Sequence, residues 1–141
     1  MKRQMLDSDI LSMFLKGHPG MAQNINIYLS HFDCLTMNII NEYEIRQGLA
    51  YKNATTQLAQ FETFIANHEV LASDTKACKI VARLYANWRH TGRPLANGDL
   101  LIAAIVLAND CVLVTNNERH FTRIPGLTPE NWKTPEIDKE G

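Results

Sequence analysis

Short apolar runs alternate along the chain with longer stretches whose apolar residues recur every three or four positions. That pattern predicts an α/β domain built on a parallel sheet. Gln4-Met5-Leu6 reads as a first strand ending at Asp7, and Asp9 to Lys16 as a helix stopped by Gly17-His18-Pro19-Gly20. A second helical stretch covers Met21 to about Ser30, and Asp33 to Met37 reads as a second strand. Asn38 or Asn41 can cap the next helix, which runs on past Gly48; another spans Ala54 to Asn67, and Glu69 to Ala72 forms a third strand. Ser73 or Asp74 caps a long helix reaching about His90, closed by Thr91-Gly92-Arg93-Pro94. A helix from Asp99 to Ala108 leads to a fourth strand, Cys111 to Thr115, and Ile124-Pro125-Gly126-Leu127 then precedes Trp132. The expected architecture is one α/β domain over residues 1–132, with a central parallel sheet of about four to five strands flanked by helices. A polar tail from Lys133 to Gly141 follows.

Two of these helices have distinct characters. From Asp99 onward apolar residues fall at every angle (Leu100, Leu101, Ile102, Ile105, Val106, Leu107), so this helix belongs in the middle of the domain. The helix ending near His90 is amphipathic, with Ile80, Val81, Leu84 and Trp88 on one side and Lys76, Lys79, Arg83 and His90 on another. A basic stripe of that kind is most often a solvated face, but it can also hold a phosphate backbone.

Composition narrows the function classes. With 141 residues, 45% hydrophobic and 21% charged, the chain has the make-up of an ordinary globular domain. Its longest apolar stretch, Leu100 to Ala108, is far short of a membrane span. Met1-Lys2-Arg3-Gln4 runs straight into Met5-Leu6-Asp7 with no apolar signal core, which points to a cytoplasmic protein. Lys plus Arg number 14 against 15 Asp plus Glu, a formal charge of −1, so any nucleic-acid role needs a local basic patch or a metal ion. Cys34, Cys78 and Cys111 lack metal-binding spacing and are expected to be small core residues.

Three acids stand out by their settings. Asp7 lies at the carboxyl end of the first strand, where open α/β sheets place ligands. Glu44 sits mid-helix, one turn before Gly48, which lacks a side chain that would crowd it; Asp99 opens the all-apolar helix. Singly, Asp7 can be a turn residue, Glu44 a solvated glutamate and Asp99 a first-turn acid favoured by the helix dipole. As a set, converging carboxylates repel one another and are relieved by a hard divalent cation, which can also activate water and neutralise a phosphodiester. Glu42 lies about 200° around the helix from Glu44 and cannot share its pocket.

Met5-Leu6-Asp7-Ser8-Asp9-Ile10-Leu11 resembles the opening of PIN-domain ribonucleases, in particular the VapC-type toxins of bacterial toxin–antitoxin pairs. Glu44-Ile45-Arg46-Gln47-Gly48 is similar to their Glu-x-x-x-Gly segment. Gly92-Arg93-Pro94 followed by Asp99-Leu100-Leu101-Ile102-Ala103-Ala104 resembles their third motif. Leu113-Val114-Thr115-Asn116-Asn117, then His120-Phe121, Pro125-Gly126-Leu127 and Trp132, resembles their ending. Many PIN domains carry a fourth acid where this chain has Asn117, and Asp9 replaces the usual Asn. Asp9 then offers a possible water-bridged ligand or an N-cap for the first helix.

The resemblance implies a PIN-like fold and the toxin of a type II toxin–antitoxin pair: a Mg²⁺-dependent (or Mn²⁺-dependent) endoribonuclease that cleaves RNA by metal-activated water. Asp7, Glu44 and Asp99 would hold the metal and carry catalysis. Ser8, Asp9, Thr115, Asn116 and Asn117 would support them, with Ser8 and Thr115 as hydroxyls that orient Asp7. Lys76, Lys79, Arg83 and Arg93 are candidate RNA contacts. Expected partners are RNA, a small antitoxin and a second copy of the chain. The antitoxin is expected on the first helix, where Leu11, Met13, Phe14 and Leu15 exceed one buried face. The alternative is a catalytically weak PIN module acting through a protein partner. A haloacid-dehalogenase-like phosphatase, suggested by Asp7-Ser8-Asp9, is excluded because Gly98-Asp99 is followed by Ala103 and Ala104 where a second acid is required.

Overall fold

The computed structural model of the chain describes residues 2–91 and 97–133. Four short strands, β1 (Gln4–Leu6), β2 (Thr36–Asn38), β3 (Glu69–Leu71) and β4 (Val112–Val114), form one sheet in the order β3-β2-β1-β4, every neighbouring pair parallel. Among the described residues seven helices connect and cover them: α1 (Ser8–Leu15), α2 (Met21–Leu29), α3 (Ile39–Tyr51), α4 (Thr55–Ala66), α5 (Thr75–Thr91), α6 (Asn97–Ala108) and α7 (Glu118–Phe121). The second strand starts later than its apolar run suggests, because Leu35 precedes the register in which Thr36, Met37 and Asn38 face Glu69, Val70 and Leu71. Arg93 and the rest of Gly92–Pro94 lie outside the described residues, as does the tail beyond Lys133.

The period-2 alternation of the strands sorts the core into two halves. Met5 and Leu113 point to the side covered by α5, α6 and α7, where Ile102, Ile105, Val106 and Phe121 are almost fully buried. Leu6, Met37 and Val114 point to the other side, against Ile10, Leu11, Ile25, Tyr28 and Phe61. α6 carries buried residues around its circumference, as its all-apolar sequence predicts, and lies between α5 and the sheet side of the domain. α3 reaches both halves, through Ile40 on one side and Ile45 on the other. No helix among the described residues is long and apolar enough to cross a membrane.

The cysteines are not core residues. Cys78 is exposed on α5, one helical step from buried Ala77, and Cys34 and Cys111 are half-buried in loops ahead of β2 and β4; all three are free. The apolar surplus expected on α1 also shrinks. Leu11 is buried, Met13 and Phe14 pack on the core with Phe14 against Phe64, and only Leu15 is exposed.

The segment after α7 closes the fold. Glu130 bridges to Val114 in parallel, the Asn24 amide donates to the Trp132 carbonyl, and the Trp132 ring packs on Tyr28. Here a glycine is required by space: a Cβ on Gly20 would overlap the Lys133 carbonyl oxygen. Gly20→Ala is therefore expected to cost about 1–3 kcal/mol, read as a lower midpoint in urea unfolding. An unchanged midpoint would show that the segment moves aside freely.

Candidate active site

The chain leaves β1 for β2 and β3 on one side and comes back to β4 on the other. The crevice at the carboxyl ends of β1 and β4 is thus the switch point of the sheet, where such folds open to ligands. Asp7 follows β1 and Thr115 follows β4. Asp7 is the N-cap of α1, its Oδ1 accepting from the Ser8 backbone N–H at 2.9 Å, so the cap considered for Asp9 belongs to Asp7. Asp7 is 7% exposed, and its other donors are Thr115 Oγ1 to Oδ2 at 2.9 Å and Asn41 Nδ2 to Oδ1 at 3.1 Å. All three donors are neutral.

Asp9 turns towards β4 instead. Its Oδ2 accepts from the Asn116 backbone N–H at 3.0 Å and its Oδ1 from that of Ile10 at 2.7 Å. The Asn117 backbone N–H donates to Thr115 Oγ1 at 3.0 Å, and Asn116 Oδ1 accepts from Asn131 at 2.9 Å. The Thr-Asn-Asn segment after β4 is thereby tied to α1 through Asp7 and Asp9.

Glu44 arrives from α3. The capping box of Asn38 and Asn41 sets the start of that helix, and Glu44 follows one turn in. Its Oε1 accepts from Ser8 Oγ at 2.6 Å, and Asn41 Nδ2 also donates to Ser8 Oγ at 3.1 Å. The Ser8 hydroxyl therefore orients Glu44, not Asp7 as expected; Thr115 orients Asp7. Glu42 lies on another face, accepting from Arg46 Nε at 2.7 Å, while Arg46 also pairs with Glu62. Gly48 does not make room for Glu44, since a Cβ there would meet nothing within 4 Å. The glycine beside Glu44 is Gly98, whose Cβ position lies 4.0 Å from Glu44 Oε2. That contact brings the N-terminus of α6 to the site, and Asp99 with it. Asp99 Oδ2 stands 3.0 Å from His120 Nε2 of α7, a close approach and not an aligned hydrogen bond.

The electrostatics follow from this crowding. Burial, then the charges of Asp9 and Glu44, push Asp7 up from its ordinary 3.8 to about 6, against the pull of Ser8 N–H and Thr115. Burial also raises Asp9, opposed by the N–H groups of Asn116 and Ile10. Among the described residues no three carboxylate, imidazole or thiol side chains stand close enough together to hold a metal ion by themselves. The set is all-oxygen and lacks a counter-charge at Asp7, which suits a hard cation that keeps part of its water. Lys76, Lys79 and Arg83 are exposed on α5, which packs chiefly on α6. Sequence reasoning missed two site residues. Asn41 was read only as a cap, and His120 only as part of a family ending.

The PIN domain family model matches residues 5–127. The tRNA(fMet)-specific endonuclease VapC of Salmonella typhimurium is 32% identical over 94% of this chain and 99% of its own. Ribonuclease VapC2 of Rickettsia felis is 29% identical over 91% and 96%. Among solved structures, DNA-bound VapBC from Salmonella typhimurium superposes with a TM-score of 0.83 at 31% identity, covering 94% of this chain and 99% of that one. VapBC2 from Rickettsia felis bound to a promoter DNA fragment gives 0.81 at 28%, covering 92% and 98%. With the family model matching residues 5–127 and a relative 32% identical along almost the whole chain, the chain belongs to the PIN domain family as a VapC-type toxin.

Proposed function

We propose that this toxin is a Mg²⁺-dependent endoribonuclease, with Asp7, Glu44 and Asp99 as the metal-holding carboxylates. The observation that carries the reading is Asp7: a buried carboxylate, crowded by Asp9 and Glu44, whose partners are all neutral. Bound Mg²⁺, or Mn²⁺ in its place, supplies charge neutralisation at a phosphodiester and lowers the pKa of the attacking water. The chain's own residues fix the geometry. Thr115 and Asn41 hold Asp7 from two sides, Ser8 steers Glu44, and His120 stands against Asp99. Asp9, Asn116 and Asn117 lock the loop after β4. Asn117 in place of a fourth acid leaves the site with less charge for a second ion.

The partners belong to the same proposal: RNA as substrate, a small antitoxin, a second copy of the chain, and the cytoplasm as compartment. The similar structures from Salmonella typhimurium and Rickettsia felis are VapBC and VapBC2, each bound to DNA, which supports an antitoxin partner. Purified protein incubated with cellular RNA is expected to cut it in Mg²⁺ or Mn²⁺, to stop in EDTA and to recover when metal is restored. Cleavage that persists in EDTA would refute the metal role. Partner-free protein that leaves RNA intact in Mg²⁺ would favour a binding module instead.

A further inference from the structure

Position 41 is the third residue of α3, where a capping box needs an acceptor for the backbone N–H of the N-cap Asn38. Glutamate or glutamine ordinarily fills that place, and both are better helix formers than asparagine. The cap alone therefore gives no reason for an asparagine here. Asn41 is fully buried and its side chain makes three bonds. Its Oδ1 accepts from the Asn38 N–H at 3.2 Å, and its Nδ2 donates to Asp7 Oδ1 and to Ser8 Oγ, each at 3.1 Å.

These bonds fix the direction of every neighbour. The Asn38 N–H can only donate, so it faces Oδ1 and the amide nitrogen is left to Asp7 and Ser8. Ser8 Oγ accepts from that nitrogen and gives its single proton to Glu44 Oε1, 2.6 Å away. A serine or threonine at 41 has one proton to give and a carboxylate has none. Glutamine has the same groups but is one methylene longer. One buried amide thus governs two carboxylates that arrive from different elements, Asp7 from the end of β1 and Glu44 from α3.

We propose that Asn41 is a positioning residue that sets Asp7 directly and Glu44 through Ser8, and so selects a small divalent cation over a larger one. The proposal rests on the divalent-cation reading of this site and names the residue that tunes it. Mg²⁺ demands near-ideal octahedral geometry at about 2.0–2.1 Å, whereas Ca²⁺ takes six to eight oxygens at about 2.3–2.6 Å in looser arrangements. Carboxylates held at a fixed separation favour the small ion; carboxylates set free adjust to either. Thr115 fixes the other oxygen of Asp7 from β4, so the link from Asp7 to Glu44 runs through Ser8 and the amide that orients it.

The test is direct binding of Mn²⁺, read from the electron paramagnetic resonance of the free ion, with Ca²⁺ measured by displacement. Neither needs RNA or turnover. Asn41→Ser keeps an acceptor for the Asn38 N–H but is too short to hold Asp7 and Ser8 together. It is expected to weaken Mn²⁺ binding about tenfold or more, and Ca²⁺ binding less than about threefold. Ser8→Ala leaves the cap of α3 intact and is expected to cost about tenfold in Mn²⁺ affinity, again with less loss for Ca²⁺. Because the two side chains act in series on Glu44, the double variant should fall short of the product of the single losses by about threefold or more. Glu42→Gln, on another face of α3, should change neither ion. Mn²⁺ affinity of Asn41→Ser within about twofold of the parent, equal losses for both ions, or single losses that multiply would each overturn the proposal. If Asn41→Ser fails to fold, unchanged Mn²⁺ affinity in Ser8→Ala overturns it. Failure of the cation reading itself would appear separately, as unaltered protein that binds no Mn²⁺.

Discussion

Asp7→Asn is expected to abolish RNA cleavage and, in metal-free buffer at pH 7.5, to make the protein more stable. The Asp7 carboxyl sits at about 6 in the native chain against an ordinary 3.8. Between those values the folded state holds a proton that the unfolded chain has lost. Stability therefore falls as pH rises from about 4 to about 6 and stays lowered above that. The loss is on the order of 2–3 kcal/mol for this group. Asparagine keeps an acceptor for the Ser8 N–H and the Asn41 amide and never ionises. Its melting temperature at pH 7.5 should be higher by roughly 5–10 °C, the gap closing as pH falls towards 4. Saturating Mg²⁺ should raise the stability of the unaltered protein and leave the variant behind. A variant that melts below the parent at pH 7.5, or by the same margin at every pH, would show that burial and the neighbouring acids do not penalise the ionised Asp7.

Glu44→Gln is expected to lower the cleavage rate on the order of 100-fold or more, whereas Glu42→Gln should leave it within about threefold. The two glutamates are two residues apart and do different work. Glu44 accepts from Ser8 beside Asp7 and faces the start of α6. Glu42 holds Arg46, which also pairs with Glu62 and lies 5.5 Å over the Phe61 ring. Removing the Glu42 charge should loosen the junction of α3 and α4 by about 0.5–1 kcal/mol without reaching the carboxylates. Rates from RNA cleavage and midpoints from urea unfolding separate the two effects. The reverse order of rates would place the wrong glutamate in the site.

Much of this was legible along the chain because the relevant signals are local. The alternation of short apolar runs with helical patterns located the strands and helices, and Asp7 and Asp99 were visible by position at a strand end and a helix start. The 3.6-residue period separated Glu44 from Glu42. What was not legible depends on partners far apart in sequence. Ser8 was assigned to Asp7, its neighbour, but its hydroxyl meets Glu44 across 36 positions. Asn41 looked complete as a cap, yet its amide also serves Asp7. Met13 and Phe14 looked surplus until α4 brought Phe64 against Phe14. Gly48 suggests space for Glu44, yet a Cβ there would meet nothing within 4 Å, and the glycine beside Glu44 is Gly98 of α6.

The pairing of β1 with β4 has a consequence for when the toxin becomes dangerous. A ribosome makes Asp7 well before Thr115, which holds its carboxylate and comes 108 positions later. The chain must insert β4 beside β1 before that bond exists, and contacts so distant in sequence close late in folding. A half-made or half-folded copy therefore carries its first acid without the strand that sets it. The order of synthesis itself delays the nuclease until almost the whole domain has been translated.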